Sequence, residues 1–110
     1  MRNKLSLDAV ARVQLTNAAA STSGRASETV FGGHETHLRQ TVIALSEGHE
    51  LSEHESPGEA TLQVLTGRVQ LTDASTTWEG RSGDLLVIPD ARHSLTALSD
   101  AVVLLTVVKH

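Results

Sequence analysis

Gly83-Asp84-Leu85-Leu86-Val87-Ile88-Pro89 is the stretch on which the fold turns. Its four apolar residues are too few for a helix, and turn residues fence them on both sides: Gly80 to Gly83 before, Pro89-Asp90 after. That is a short strand between two turns. Apolar side chains on both faces predict that it is covered on both sides, by the interior and by a partner or the N-terminal helix. The same grammar repeats outward from it. Runs rich in Val, Ile, Leu and Thr cover Ala26–Phe31, Leu38–Leu45, Ala60–Thr66, Arg68–Thr72, His93–Leu98 and Ala101–Val108. Between them stand Gly32-Gly33, Ser46-Glu47-Gly48, Ser56-Pro57-Gly58, Thr66-Gly67, Asp73-Ala74-Ser75 and Ser99-Asp100. No run of helical length survives after Gly24. Many short, regularly spaced strands predict an all-β antiparallel sandwich or barrel. In Ala60–Thr66 the even positions are apolar, so Thr61 and Gln63 face the other way.

The beginning of the chain reads differently. Ser6 to about Ala20 predicts a helix, with Ser6 as cap and Asp8 at its positive end. Leu7, Val10, Ala11, Gln14 and Ala18 share one face, a thin stripe suited to lying against a sheet. Ser21 to Gly24 end it. The organisation is one domain, with residues 1–24 as helix and linker and 25–110 as the β-domain.

Composition narrows the partners. The 110 residues carry a formal net charge of −4 and no cysteine. Disulfides and thiolate metal sites are therefore excluded. Lys4 and Lys109 are the only lysines, and no basic stripe offers itself to phosphates, so no nucleic-acid partner is expected. Phe31 and Trp78 are the only aromatics, too few for base stacking. Asp8 and Arg12 interrupt any apolar leader, and Ala101–Val108 is too short to span a bilayer. The expectation is a soluble, cytoplasmic protein without a membrane partner.

Two stretches resemble the paired motifs of the cupin superfamily. In the first, Gly48 is followed by five residues and His54, with Gly67 closing the segment. In the second, Gly83 is followed by five residues and Pro89, with His93 shortly after. The string Gly83 to Pro89, with Gly67-Arg68-Val69, is the most specific part, and the strands around the motifs extend the resemblance over residues 38 to 108. It implies a cupin jelly-roll β-barrel with an inter-motif hairpin around Asp73 to Thr77. It also implies one divalent transition metal (Zn, Fe, Mn, Ni or Cu) held by three imidazoles and a carboxylate.

This chain departs from that pattern. The second motif histidine would stand at Ser56 and the glutamate at Ala60. Glu59 comes one place early, and alternation aims it away from Ala60, Leu62 and Val64. Ala91 stands where a glycine is usual. His54, which ends a strand-like stretch after Gly48, and His93, which opens the strand after Pro89, remain as metal candidates. Two imidazoles make a weak chelate. His34 and His37, just before the strand Leu38–Leu45, are the candidates for a third donor, as is Glu59 if a bulge follows Pro57-Gly58. His49 and His110 are expected to be solvated. One of Arg39 and Gln40 must point inward.

No G-x-S-x-G elbow, phosphate-cradling loop or dinucleotide fingerprint occurs. Two function classes stand open: a metal-dependent enzyme of dioxygenase or isomerase type, and a metal-free module binding a small organic ligand through the same histidines. The doubly apolar strands and the outward Thr61 and Gln63 predict a homodimer.

Overall fold

The computed structural model describes residues 3–54 and 58–109, the side chains at 52–54 excepted. The expectations for Ser56, Pro57, His110 and the His54 side chain lie outside the described residues. Helix α1 spans Leu7–Ala20, and Ser6 Oγ accepts from the Ala9 amide at 3.1 Å. Val10, Ala11, Gln14 and Ala18 are its buried face. A buried glutamine needs partners, and Gln14 Nε2 donates to Glu28 at 3.3 Å. Among the described residues no helix is long and apolar enough to cross a membrane.

Nine strands follow: β1 Arg25–Phe31, β2 Leu38–Leu45, β3 Glu50–His54, β4 Gly58–Thr66, β5 Arg68–Asp73, β6 Thr77–Arg81, β7 Leu85–Val87, β8 His93–Ala97 and β9 Ala101–Lys109. They form two antiparallel sheets, ordered β1-β2-β9-β4-β7 and β3-β8-β5-β6. This is the expected all-β jelly roll, with one correction: the sheets are not closed into a barrel. Among the described residues no ladder joins β7 to β6 or β1 to β3, so the sheets stack and leave seams. Strand β6 was not legible because Gly80 reads as a turn. It is a strand residue at a close approach instead, since a Cβ there would lie 3.0 Å from Leu86 and 3.1 Å from Val64.

Two apolar layers hold the molecule. Between the sheets pack Ile43, Leu45, Leu62, Val64, Val69, Leu71, Leu95 and Val103. Behind the five-stranded sheet, α1 covers Val42, Ala44, Val102 and Leu104. Strand β9 belongs to both layers, and Ala101 to Leu104 are all buried, as their double apolarity predicted. For Leu85 to Ile88 the cover of the outer face is not the helix. Leu86 and Ile88 turn inward, but Leu85 is 62% and Val87 74% exposed, because α1 reaches only the β1–β2–β9 side.

Register sorts the chain connections to two ends. Leu38 pairs with Val108, Gly58 with Lys109, and His93 with both His54 and Asp73. The β1–β2, β5–β6 and β7–β8 connections therefore share one end, called the mouth here. The opposite end is tight: Gly48 N–H donates to Ala97 O at 2.9 Å, and Glu47 N–H to Asp100 Oδ1 at 2.8 Å.

At that tight end Gly67 has φ +82°, and a Cβ would lie 2.2 Å from the Asp100 carbonyl oxygen. Gly48 has a similar φ of +84° with nothing within 4 Å. Gly48→Ala should therefore pay only for its backbone, about 1 kcal/mol. Gly67→Ala adds a clash with rigid backbone and should lower the thermal midpoint clearly further, as parallel calorimetric melts will show.

Candidate functional site

The mouth gathers polar residues on the inner face of the four-stranded sheet, where the rows beneath are apolar. Val69 and Leu71 on β5, and Leu95 and Ala97 on β8, are at most 2% exposed. One step further toward the opening, the same alternation brings Asp73 and His93 to the inner face, as cross-strand partners. On β3 the ladder slips between Leu51 and His54. A regular ladder would set Glu53 opposite His93; the bulge gives that place to His54. The backbone thus aligns His54, His93 and Asp73 across three neighbouring strands.

His93 is only 5% exposed, and its Nδ1 lies 2.8 Å from the Ala91 carbonyl oxygen. A carbonyl can only accept, so Nδ1 is the donor, and in the neutral ring Nε2 carries the lone pair. The ring is thereby fixed in one tautomer and one orientation. Asp73 Oδ1 accepts from the amides of Ser75 and Thr76 at 2.9 and 2.8 Å, and from Ser75 Oγ at 3.2 Å. The Ser75 and Thr76 amides, with a smaller contribution from the neighbouring His93, hold the Asp73 carboxyl below the usual carboxylate range.

Two further residues belong to this face. Trp78 pairs with Leu71 and alternates with buried Gly80, so it stands on the inner side, yet it is 38% exposed. Arg39 alternates with Thr41, Ile43 and Leu45 and shares the inner phase of the opposite sheet. Gln40 faces outward and donates to Thr106 Oγ1 at 3.1 Å, which answers the question the sequence left open. Sequence reasoning passed over Asp73 as a turn residue. Counting the alternation onward from Val69 and Leu71 would have found it.

The other sequence candidates lie elsewhere. His34 and His37 are exposed on the β1–β2 connection, which Lys109 braces by donating from Nζ to Gly33 O at 2.6 Å. They share the mouth end with His93, on the edge of the opposite sheet. Glu59 is exposed, and the β4–β9 ladder runs regularly from Gly58 to Val64, so the bulge that would turn it inward is not there. It opens instead on a cleft of about 440 Å³ shared with Thr61, Val87 and Asp90. His49 is exposed at the tight end, its ring against Gly24. With Ala60 at the carboxylate position, the residues present do not fit the four-ligand metal shell. Among the described residues no group of three or more His, Asp or Glu could hold a metal ion.

Asp73 makes the mouth acid-sensitive. Its carboxyl is depressed in the folded chain, so it contributes stability above the unfolded value and loses it as pH falls through the folded one. Asparagine keeps the acceptor oxygen for the turn amides but does not titrate. Between about pH 5 and pH 3, Asp73→Asn should lose less stability than the wild type in denaturant titrations.

Solved structures place the fold among known ones. The chain is similar to a conserved protein of unknown function from Streptococcus pyogenes, at 31% identity and a TM-score of 0.72, over 82% of this chain and 78% of that one. It is similar to an RmlC-like cupin from Desulfovibrio desulfuricans at 25% identity and a TM-score of 0.67, over 76% and 81% of the two chains. A cupin superfamily protein from Desulfitobacterium hafniense shares 16% identity with a TM-score of 0.71, over 78% of each chain. No family model and no curated protein matches the chain. Two open antiparallel sheets in jelly-roll order, the motif glycines at the turns and these neighbours agree: the chain belongs to the cupin superfamily.

Proposed function

We propose that the chain is a small-molecule binding protein whose ligand sits at the mouth of the jelly roll, against His93 and His54. The observation that carries this reading is the state of His93. An imidazole buried above a floor of Leu95 and Ala97 costs desolvation that an apolar residue would avoid. Its tautomer is fixed by the Ala91 carbonyl, and it stands where the sandwich opens. Buried, oriented titratable groups in concave openings are the ordinary signature of a binding site. A divalent transition ion (Zn, Fe, Mn, Ni or Cu) is the alternative occupant of the same place. Two imidazoles would hold it weakly, with water, His34 or His37 completing the shell. The dioxygenase or isomerase chemistry of fully equipped cupins finds Ala60 where its carboxylate should be.

Elemental analysis of untagged protein tests the choice. The expected result is a transition-metal content well below one ion per chain. Ni²⁺ added afterwards should bind one site and quench Trp78 emission, and His54→Ala and His93→Ala should each abolish that response. A stoichiometric ion in the purified protein, lost in His54→Ala, would instead make the chain a metalloprotein. Ni²⁺ binding unchanged in the double variant would remove the two-histidine pocket altogether.

The proposal extends to pairing. Beyond α1, the outer surface of the five-stranded sheet exposes Leu85, Val87, Leu38 and Val108, with Thr61 and Gln63 on the same side. A partly apolar sheet face of this kind, with Glu59 at its mouth-end margin, favours cover by a second copy. Sedimentation equilibrium should show twice the chain mass of 11.7 kDa at micromolar concentration. Val87→Glu should return the protein to the monomer without unfolding it, because Val87 is 74% exposed in the single chain.

A further inference from the structure

The inner-face residues left over from the histidine pair are Asp73 and Trp78, and their placement is specific. Leu71 pairs with Trp78, and Asp73 lies two residues beyond Leu71 on the same strand face. The two are therefore diagonal neighbours on one surface, a spacing within reach of an aromatic side chain. Asp73 is also the direct cross-strand neighbour of His93. One carboxylate thus joins an indole to the buried imidazole across β6, β5 and β8.

The exposure of Trp78 has no structural cause in the core. Its row partners Leu71 and Leu95 are 1% and 2% exposed, whereas Trp78 keeps 38% of its surface open on the face that should be covered. The cause is the seam between the sheets. Strand β7 ends at Val87, and at Gly80, one step deeper than Trp78, the edges are close enough that a Cβ would lie 3.0 Å from Leu86. An indole left open on an inner face, beside a carboxylate, is the arrangement that attracts an organic cation. The ring face supplies cation–π attraction and the carboxylate supplies charge.

Building on the small-ligand reading above, we infer that Asp73 and Trp78 form an ammonium-binding subsite, and that the ligand is a small organic amine with an apolar body. The apolar body lies along the indole, and the ammonium is held at the Asp73 carboxylate. Ser75 and Thr76 keep that carboxylate ionised through their amides. The chain's formal net charge of −4 steers a cation in the same direction. Of the positive groups at the mouth, Arg92 is exposed on the β7–β8 connection beside His93, Lys109 donates to the Gly33 carbonyl, and Arg39 is on the far side. It stands on β2, whose Ile43 packs at the same cleft as Leu51 of β3, while Trp78 lies beside the β7 seam.

Trp78 is the only tryptophan and the chain has no tyrosine, so intrinsic emission reports this subsite alone. The experiment titrates the full chain with three probes of one shape: phenethylammonium, 2-phenylethanol and phenylacetate. Phenethylammonium should shift the Trp78 emission saturably and bind about tenfold more tightly than the alcohol. Asp73→Asn, which preserves the turn acceptor, should erase that preference while leaving the alcohol's affinity unchanged. Trp78→Leu, followed by calorimetry, should weaken both. Equal or tighter binding of the alcohol or of phenylacetate overturns the inference, and so does a preference that survives in Asp73→Asn. If no probe binds while Ni²⁺ still reports the histidine pair, the subsite falls and the pocket stands. If Ni²⁺ is also silent, both fall.

Discussion

The structure depends on strand β9 being buried on both faces at once. Ala101 and Val103 face the space between the sheets, and Val102 and Leu104 face the helix. Each fully buried valine or leucine contributes about 1.5–3 kcal/mol relative to exposure. The central position of β9, between β2 and β4, lets one strand tie three layers together. A charged residue anywhere from Ala101 to Leu104 would enter one of two dry layers. Lys109 appears only where the strand leaves the layers and can donate to the Gly33 carbonyl at the mouth.

That arrangement decides where chemistry can reside. The tight end is closed by short turns whose backbone groups satisfy each other, as Gly48 does with Ala97 and Gly83 with Val64. At the other end the alternation that carries Val69, Leu71, Leu95 and Ala97 runs on into Asp73 and His93. Inward residues at the mouth therefore differ in kind from those one row below. The boundary between fold and site is a single step of the pleat.

Most of the fold could be read from the chain, because period-two alternation and turn residues agree over most strands. Strand β2 was legible to the residue, and the helix with its buried face was legible down to Gln14. The failures share a cause. Gly80 was read locally as a turn, although what requires glycine there is the opposite sheet. For Leu85 and Val87 the pattern leaves helix and partner open as cover, and only the reach of α1 excludes the helix. Local pattern says that a residue is apolar, and only packing says what lies over it. The site was half legible for the same reason. His93 and its inward direction followed from motif and alternation, but strict alternation puts Glu53 opposite His93. Only the slipped register on β3 gives His54 that place.

The loss of the carboxylate at Ala60 changes the character of the whole opening. Where a family member would set a glutamate on the five-stranded sheet facing the imidazoles, this chain has a methyl group, and Glu59 is turned to the outside. Asp73 stands on the inner surface instead, opposite His93 on the neighbouring strand and diagonal to Trp78. Negative charge is then no longer focused on a point between imidazoles, where a divalent ion gains most from it. It lies at the mouth, committed through one oxygen to the turn amides and on the same face as the partly exposed Trp78. A point charge with three imidazoles selects a metal; a carboxylate next to an indole selects an extended molecule with one cationic end. On the proposed reading, the side of His93 on which the acid stands separates the two.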